Sequence, residues 1–324
     1  MKVSILMPCY NAGEYLYKSI GSIQKNSIQD FEIICVDDGS TDDTLKILKK
    51  LQKEDKRIRI ITRKEKGFAY TFNELLDAAH GEYILNVDPD DWISPIMLER
   101  MLEEVGNCDF VKCGFWFEYG ESREKYLYDA PDDVFCPRLL PADQKMRFFV
   151  SQVAMWTCLV KREFIEKWHI RLNETEGAAY QDTGFIWQIN TIANRVKVIK
   201  EPLYHYNKTN QNASTASSRY PMAPSVEYNK IADWLLKCPW LGIDVRSVLC
   251  RGRFGSYCWN MGRIDKKDRL KFAKQAQQDF NDDYNYIDVR MFTEQEFTVW
   301  LTARKSPEEF VKIFEPIEKG RFKE

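Results

Sequence analysis

Polar side chains follow three apolar runs in the first ninety residues, at the points where the runs end. They occupy residues 8–11 (Pro-Cys-Tyr-Asn), 37–40 (Asp-Asp-Gly-Ser) and 88–91 (Asp-Pro-Asp-Asp). Ligands of open α/β sheets bind beyond the carboxyl ends of the strands, so these residues are the first candidates for a site. An Asp after a strand is also a common turn or helix-cap residue, and that alternative stays open for Asp37 and Asp38.

Asp88 and Asp90 are two residues apart, so in an extended chain their side chains project to one face, with Cα atoms about 7 Å apart. Crowded carboxylates raise one another's pKa unless a cation lies among them. Mg²⁺ takes one or two protein carboxylates and completes its shell with phosphate oxygens and water. The pair therefore predicts a divalent cation shared with substrate phosphates; the alternative is a solvated acidic turn that caps the next helix.

The segments around these residues alternate between the apolar runs of buried strands and the apolar spacing of helices. Apolar runs typical of buried strands cover residues 3–7, 31–36, 58–61 and 83–87, and segments with helical spacing separate them. This alternation predicts parallel βαβ units, and so the α/β fold class with a mostly parallel sheet flanked by helices. Further on, the pattern predicts helices and strands over 95–105, 108–119, 163–168, 183–194 and 196–199, with an excursion over the sheet at 120–142.

A chain of 324 residues is longer than one compact core usually holds, so we expect two regions. The run from Asn207 to Ser218 has the Asn, Ser and Thr content of a loop, and we place the boundary after it. The first region is then 1–218, and the second, 219–324, has helical spacing and no recognised motif.

Composition excludes several classes of protein. A formal net charge of −2 argues against a protein that coats nucleic acid. No window approaches the ~18 apolar residues of a membrane span, and the apolar start runs into Pro8, which favours a strand over a signal peptide. Nine scattered cysteines without a CxxC pair predict a reduced, cytoplasmic chain.

Four motifs, in order and at usual spacing, carry a resemblance to a known family. They are Val3–Gly13 (Val-Ser-Ile-Leu-Met-Pro-Cys-Tyr-Asn-Ala-Gly), Val36–Thr44 (Val-Asp-Asp-Gly-Ser-Thr-Asp-Asp-Thr), Gly81–Leu85 (Gly-Glu-Tyr-Ile-Leu) and Asp88–Asp91. They resemble the inverting family 2 glycosyltransferases with the GT-A fold, over about residues 1–215. The resemblance implies a nucleotide-diphosphate-sugar donor, most often a UDP-sugar, bound with Mn²⁺ or Mg²⁺. It also implies an acceptor hydroxyl on a saccharide or lipid-linked saccharide, in bacterial cell-envelope or exopolysaccharide synthesis.

The resemblance also implies roles at the nucleotide. Pro8 and Tyr10 would line the nucleobase pocket, and Asp38 would accept a hydrogen bond from the base with Asp37 nearby. One departure is Thr71–Asn73 (Thr-Phe-Asn), where the family often has Ala-Arg-Asn. An Arg contact to phosphate or base is therefore lost, which leaves the identity of the base open.

For the metal, the resemblance implies that Asp90 is the principal ligand and that Asp88 faces the ribose or the metal shell. His205 follows the last apolar strand of the domain, where some GT-A enzymes place a late His over the donor diphosphate. We therefore expect His205 as a further metal or phosphate ligand; an isolated His is otherwise a structural residue.

The family's catalytic base is an Asp in an acidic dipeptide, often Glu-Asp, before an aromatic helix. Here residues 180–187 (Tyr-Gln-Asp-Thr-Gly-Phe-Ile-Trp) match, with Gln in place of Glu, so Asp182 is the expected base. The alternative is that Asp182 is the N-cap of the helix predicted over 183–194.

Basic residues concentrate in the stretch 251–274. They are Arg251, Arg253, Arg263, Lys266, Lys267, Arg269, Lys271 and Lys274. If they converge on one face, they predict peripheral contact with an anionic membrane, at its inner face; otherwise they are a solvated helix surface.

Three alternative classes of protein fit the sequence less well. Intact Asp90 and Asp182 favour an active hexosyl- or N-acetylhexosaminyltransferase over a catalytically inactive GT-A-like nucleotide- or glycan-binding protein. A Rossmann oxidoreductase would need G-x-G-x-x-G after the first strand, and Pro8–Gly13 is no such turn. An Asp-x-Asp phosphatase would carry its acidic pair after the first strand of its core, whereas here it follows the fourth.

Overall fold

The computed structural model describes residues 1–211, 213, 219–241 and 244–315. The chain divides into two compact units, 1–137 with 153–212, and 138–152 with 213–324. The boundary predicted after residue 218 adjoins residues 214–218, which lie outside the described residues. Nothing in the sequence indicated that Arg138–Gln152 would group with the C-terminal residues.

The first unit is built on a ten-stranded mixed sheet. Its strands are β1 (Val3–Cys9), β2 (Phe31–Asp37), β3 (Ile58–Thr62), β4 (Tyr83–Asn86), β5 (Trp92–Ile93), β6 (Phe110–Glu118), β7 (Arg123–Tyr126), β8 (Asp133–Phe135), β9 (Cys158–Lys161) and β10 (Arg195–Asn207). The order is β3-β2-β1-β4-β9-β6-β10-β5, with β7 paired to β6 and β8 to β10. Strands β1 to β4 are mutually parallel, as are β6 and β10, and β9 is antiparallel to both its neighbours.

Twelve α-helices lie in the described part of the chain. They are α1 (Leu16–Gln24), α2 (Thr44–Glu54), α3 (Phe68–Ala78), α4 (Met97–Val105), α5 (Ala142–Phe149), α6 (Arg162–Lys167), α7 (Gln181–Ile192), α8 (Ala223–Lys237), α9 (Asp244–Arg263), α10 (Lys266–Asp282), α11 (Glu294–Lys305) and α12 (Pro307–Ile313). Helices α5 and α8 to α12 belong to the second unit, which contains no strand among its described residues. None of the helices in these ranges is long and apolar enough to cross a membrane.

The centre of the sheet forms where the sequence is continuously apolar. All seven residues of β1 and all seven of β2 are buried, as expected of parallel strands that helices cover on both faces. The predicted α/β class, with a helical C-terminal region, is confirmed by this sheet and by the helices of the second unit.

Strand β10 is longer than its apolar run. The pattern predicts a strand over 196–199, but pairing with β6 continues to Asn207 through register shifts on both sides of Pro202. Such irregularities accommodate a proline, which has no N–H for the ladder. The extension matters because it brings Tyr204 and Asn207 into the sheet.

Part of the basic stretch 251–274 is buried inside the second unit. Arg253 and Arg269 are 1% and 5% exposed. Arg253 donates to the main-chain oxygens of Tyr228 and Asp279, and Arg251 pairs with Glu296 at 2.5 Å. Arg253 and Arg269 are therefore not available to a membrane surface, and the predicted membrane contact stays a prediction for the exposed Lys266, Lys267, Lys271 and Lys274.

Candidate active site

The polar segments predicted at three strand ends meet at one edge of the sheet. Strand β1 lies between β2 and β4, with Cys9 in register with Asp37 and Leu6 with Asn86. Neighbouring strands lie about 4.8 Å apart, so Tyr10, Asp37 and Asp88 leave the sheet side by side. The sheet thus assembles the segments that the sequence spreads over eighty residues.

The loops after β1 and β2 are fastened to each other by motif side chains. Asn11 N–H donates to Ser40 Oγ at 2.9 Å, and Asn11 Oδ1 accepts from Thr41 N–H at 2.8 Å. Ala12 N–H donates to Thr44 Oγ1 at 2.8 Å. These motif residues therefore have a structural role, because their hydrogen bonds hold the two loops together.

Asp38 fixes the loop that follows β3. Its Oδ1 accepts from Arg63 Nε at 2.8 Å and from Lys66 N–H at 3.0 Å, and its Oδ2 accepts from Gly67 N–H at 2.8 Å. The Arg63 guanidinium also donates to Thr71 Oγ1 at 2.7 Å. Both carboxylate oxygens of Asp38 are thus held by the protein itself, at the position where the sequence predicts a base contact.

Asp37 differs from its neighbour in having an unused acceptor. Its side chain is buried, and Oδ1 has no hydrogen-bond partner among the residues that the structure describes. A buried acceptor without a partner is costly, so a ligand donor at this point would be stabilising. Tyr10, 49% exposed, offers its ring nearby, whereas Pro8 is buried within β1.

Burial raises the pKa values of all three carboxyl groups in the acidic turn after β4, those of Asp88, Asp90 and Asp91. Burial, together with the negative charges of Asp90 and Asp182, raises the pKa of Asp88 to about 7, although a hydrogen bond from Asn86 Nδ2 opposes the shift. Burial also raises the pKa of Asp90, opposed by a hydrogen bond from Asn210. The charges of Asp90 and Asp182 thus both act on Asp88, and a bound cation would offset this repulsion.

Asp91 holds the acidic turn in place through hydrogen bonds to β10. It is 1% exposed, and it accepts from Tyr204 Oη at 2.8 Å and from Asn207 N–H at 2.7 Å. Tyr204 Oη also accepts from Asp88 N–H at 3.1 Å, so β10 holds both ends of the turn. Tyr204 and Asn207 were missed in the sequence, where the only signal is an aromatic and polar stretch after Pro202.

Asp182 lies in the first turn of α7 and is not its N-cap. The cap position is Tyr180, a left-handed residue with φ 67°, and Asp182 Oδ1 accepts from Thr183 N–H at 2.9 Å. The segment before α7 is anchored by Asn73, whose side chain exchanges two hydrogen bonds with the main chain of Leu172. Because α7 is held in this way, Asp182 is presented to the acidic turn by packed elements.

His205 is not brought together with the acidic pair. Its Nδ1 lies 2.7 Å from Glu118 Oε1, and its ring stacks on Trp92 with centroids 5.4 Å apart. Since Tyr204 contacts Asp91, strand alternation directs the neighbouring His205 to the opposite face. Burial lowers the pKa of His205, and the Glu118 carboxylate acts against this shift.

The donors at the acidic turn suit a hard cation that also binds a ligand. In the described ranges, no three His, Cys, Asp or Glu side chains are close enough to hold a metal ion by themselves. Asp88 and Asp90 supply two oxygen donors of the kind that Mg²⁺ and Mn²⁺ prefer, with the rest of the shell left to phosphate and water. The residues present therefore fit a cation that arrives with a diphosphate.

These features define an α/β protein with an acidic ligand site at the carboxyl edge of its sheet. The family model described as glycosyl transferase family 2 matches residues 4–168, and the chain belongs to this family. Glycosyltransferase GlyG of Streptococcus pneumoniae is 29% identical over 262 residues, which are 76% of this chain and 83% of that protein. The uncharacterized glycosyltransferase EpsJ of Bacillus subtilis is 31% identical over 236 residues, which are 69% of this chain and 65% of that protein.

The fold also matches that of a solved structure. The crystal structure of S. aureus TarS residues 1–349 in complex with UDP-GlcNAc has a TM-score of 0.79 at 19% identity, covering 97% of this chain and 91% of that one. The predicted GT-A fold and the predicted membership of family 2, in its bacterial polysaccharide-assembly type, are confirmed. The protein is therefore a glycosyltransferase.

Proposed function

We propose that the protein transfers a hexosyl or N-acetylhexosaminyl group, with inversion, from a UDP-sugar to an acceptor hydroxyl. The observation that carries this proposal is the assembly of the segments after β1, β2 and β4 at one edge of the sheet. In the turn after β4, burial and the charges of Asp90 and Asp182 raise the pKa of Asp88. The structural similarity to TarS, solved with UDP-GlcNAc and with UDP, supports a donor of this class. The setting is the synthesis of bacterial cell-envelope polysaccharide or exopolysaccharide.

The nucleotide would bind between the loops after β1, β2 and β3. Asp37 Oδ1, which has no partner among the described residues, accepts the N–H of a uracil ring, and the exposed Tyr10 ring packs against the base. Asp38 contributes by holding the Arg63–Gly67 loop in place. This assignment moves the predicted base contact from Asp38 to Asp37.

Asp88 and Asp90 would hold a divalent cation together with the donor diphosphate. Such a cation neutralises the charge that develops on the leaving diphosphate. We leave His205 outside this set, because its ring stacks on Trp92 and its Nδ1 is engaged by Glu118.

The transfer is a single displacement. The acceptor oxygen forms a bond to the anomeric carbon while the bond from that carbon to the diphosphate oxygen breaks, and the acceptor proton passes to Asp182. A base positioned in this way contributes about 10²–10⁴-fold to the rate. Asp182 is partly exposed in the first turn of α7, so the hydroxyl of an acceptor saccharide or lipid-linked saccharide can approach it.

A screen of UDP- and GDP-sugars tests the proposal by following nucleoside diphosphate release and the anomeric configuration of the product. Asp182→Asn should lose turnover and keep UDP affinity, while Asp77→Asn, a matched change at an exposed carboxylate of α3, should keep both. Thermal shifts with UDP and Mn²⁺ but no turnover of any donor would indicate the inactive nucleotide-binding alternative. Absence of both would contradict the donor class.

A further inference from the structure

The chain that follows β10 is tied to the acidic turn at several points. Asn207 N–H donates to Asp91 Oδ1 at 2.7 Å, and Asn207 Nδ2 donates to the main-chain oxygen of Asp90 at 3.2 Å. Asn207 Oδ1 in turn accepts from Thr209 N–H at 3.0 Å and from Thr209 Oγ1 at 2.7 Å. These bonds fix the course of the chain from Asn207 to Asn210 across the turn.

This anchored segment delivers Asn210 to the carboxylate of Asp90. Asn210 Nδ2 donates to Asp90 Oδ2 at 2.7 Å. An asparagine amide presents a donor group and an acceptor oxygen from the same end, and rotation about one bond exchanges them. The Asn210 amide can therefore present either group to Asp90.

The two orientations suit two states of the turn. With a bare carboxylate, the NH₂ group faces Asp90 and offsets its charge, as observed. With a cation on Asp90, the hydrogens of that group would face a positive charge, while the amide oxygen is a hard donor of the kind that such cations accept. Rotation of the Asn210 amide would replace this repulsion by coordination of the cation through Oδ1, and the backbone would not need to move.

We propose that Asn210 is a third protein ligand of the cation at Asp88 and Asp90, through its amide Oδ1. This inference rests on the proposed function, since it takes the metal–diphosphate site from there. Without Asn210, Asp88 and Asp90 would leave most of the coordination shell of the cation to the substrate and water. The Asn210 oxygen would fill one more position in that shell. The Asn207 and Thr209 contacts hold Asn210 in place before the ligand arrives.

Mn²⁺ binding in the presence of UDP tests the proposal, because the electron paramagnetic resonance signal of free Mn²⁺ measures affinity without turnover. Asn210→Leu, which keeps the size and removes the donor atoms, should weaken Mn²⁺ binding by about tenfold or more. Asn210→Asp, which keeps an oxygen donor, should bind Mn²⁺ at least as tightly as the wild type. Asn107→Leu is the control at an exposed asparagine before β6, and should change nothing.

Three results separate the outcomes. Asn210→Leu binding Mn²⁺ as tightly as the wild type, or more tightly, would show that Asn210 only neutralises the metal-free turn. Asn210→Asp weakening the affinity as much as Leu would contradict an oxygen donor. If Asp90→Ala also leaves Mn²⁺ affinity unchanged, the metal site of the proposed function is itself wrong. Circular dichroism checks each fold, and Asn210→Ala replaces the Leu variant if that one does not fold.

Discussion

Phe72 of α3 packs edge-to-face against Phe185 of α7, with ring centroids 5.8 Å apart and an interplanar angle of 75°. Phe72 occupies the position at which the sequence departs from the family, where an Arg is common. The departure therefore replaces a polar group by an apolar contact between α3 and the helix that carries Asp182. Through this contact, α3 contributes to the position of the proposed base.

Phe72→Leu should lower turnover while leaving UDP affinity within about twofold of the wild type. The physical reason is that aromatic pairs contribute about 0.5–1.5 kcal/mol beyond their buried area, and this contact orients α7. Steady-state kinetics and UDP titration measure the two effects. Tyr70→Leu, on the same helix, serves as the control, because the described structure shows no ring contact of Tyr70 with Phe72 or Phe185. Equal loss of turnover in both variants would contradict a positioning role for Phe72.

Asp37 and Asp38, although adjacent, should respond differently to substitution. Asp37→Asn should weaken UDP binding by about tenfold or more, because a hydrogen bond to a charged group is worth about 1.5–3 kcal/mol. Its free energy of unfolding should change little, since Oδ1 has no partner in the described structure. Calorimetry with UDP and chemical denaturation measure the two quantities.

Asp38→Ala should instead destabilise the fold, by about 1–3 kcal/mol, because it leaves Lys66 N–H and Gly67 N–H without their acceptor. Arg63 loses one of its two carboxylate partners and keeps Glu74. The result that would contradict the division of roles is the reverse pattern, in which Asp38→Ala keeps the stability and loses UDP affinity directly. Asp77→Asn, at the surface of α3, provides the reference for a change of charge alone.

Lys112, 2% exposed in β6, should make stability rise with pH in the alkaline range. Burial lowers its pKa from 10.5 to about 8. Below pH 8 both the folded and unfolded states bind the proton, so the cost of burying the charge is fully present. Between about pH 8 and 10.5 the unfolded state binds more protons, and the free energy of unfolding therefore increases.

Lys112→Met should remove this rise and stabilise the protein at pH 7 by up to about 3 kcal/mol. Denaturation midpoints of the variant and the wild type, measured from pH 7 to 10, should therefore converge as the pH increases. Lys125→Met, at an exposed site on β7, is the matched control. A difference between Lys112→Met and wild type that stays constant over this range would refute the prediction.

Arg253 should act in stability and not at a membrane. It forms an ion pair with Asp283 at 3.4 Å, with both side chains almost fully buried. Arg253→Met should lower the free energy of unfolding by about 3–5 kcal/mol, because it leaves a buried carboxylate uncompensated. Lys271→Met, on the exposed face of α10, should leave stability unchanged.

Liposome co-sedimentation completes this comparison. A triple change of Lys267, Lys271 and Lys274 to Gln should reduce any salt-sensitive partitioning onto anionic vesicles, since exposed cations near such a surface contribute about 1 kcal/mol each. If the folded Arg253→Met variant loses partitioning and the triple variant does not, the assignment of Arg253 to the interior of the unit is wrong.

The local pattern of the chain was enough to predict the parallel strands, their helices and the edge at which polar residues meet. Hydrophobic period and turn residues are properties of neighbouring positions, so they can be read without knowing distant partners. The same locality explains the errors. The pairing of β10 beyond Pro202 depends on β6, and the grouping of 138–152 with the C-terminal unit depends on contacts that no short window contains.

The tertiary structure determines which hydrogen-bond partners each of these carboxylates has. Asp90 and Asp91 are identical in type and adjacent in sequence, yet Asp91 is taken up by Tyr204 and Asn207, which lie 113 and 116 residues further along the chain. Asp38 likewise accepts hydrogen bonds from the loop after β3, while Asp37 Oδ1 has no partner in the part of the chain that the structure describes. The sequence by itself determines the fold class and the polar segments that follow β1, β2 and β4, because these follow from local periodicity. Only the packed structure assigns each oxygen its partner, because burial and hydrogen bonding there depend on residues that are distant in the chain and close in space.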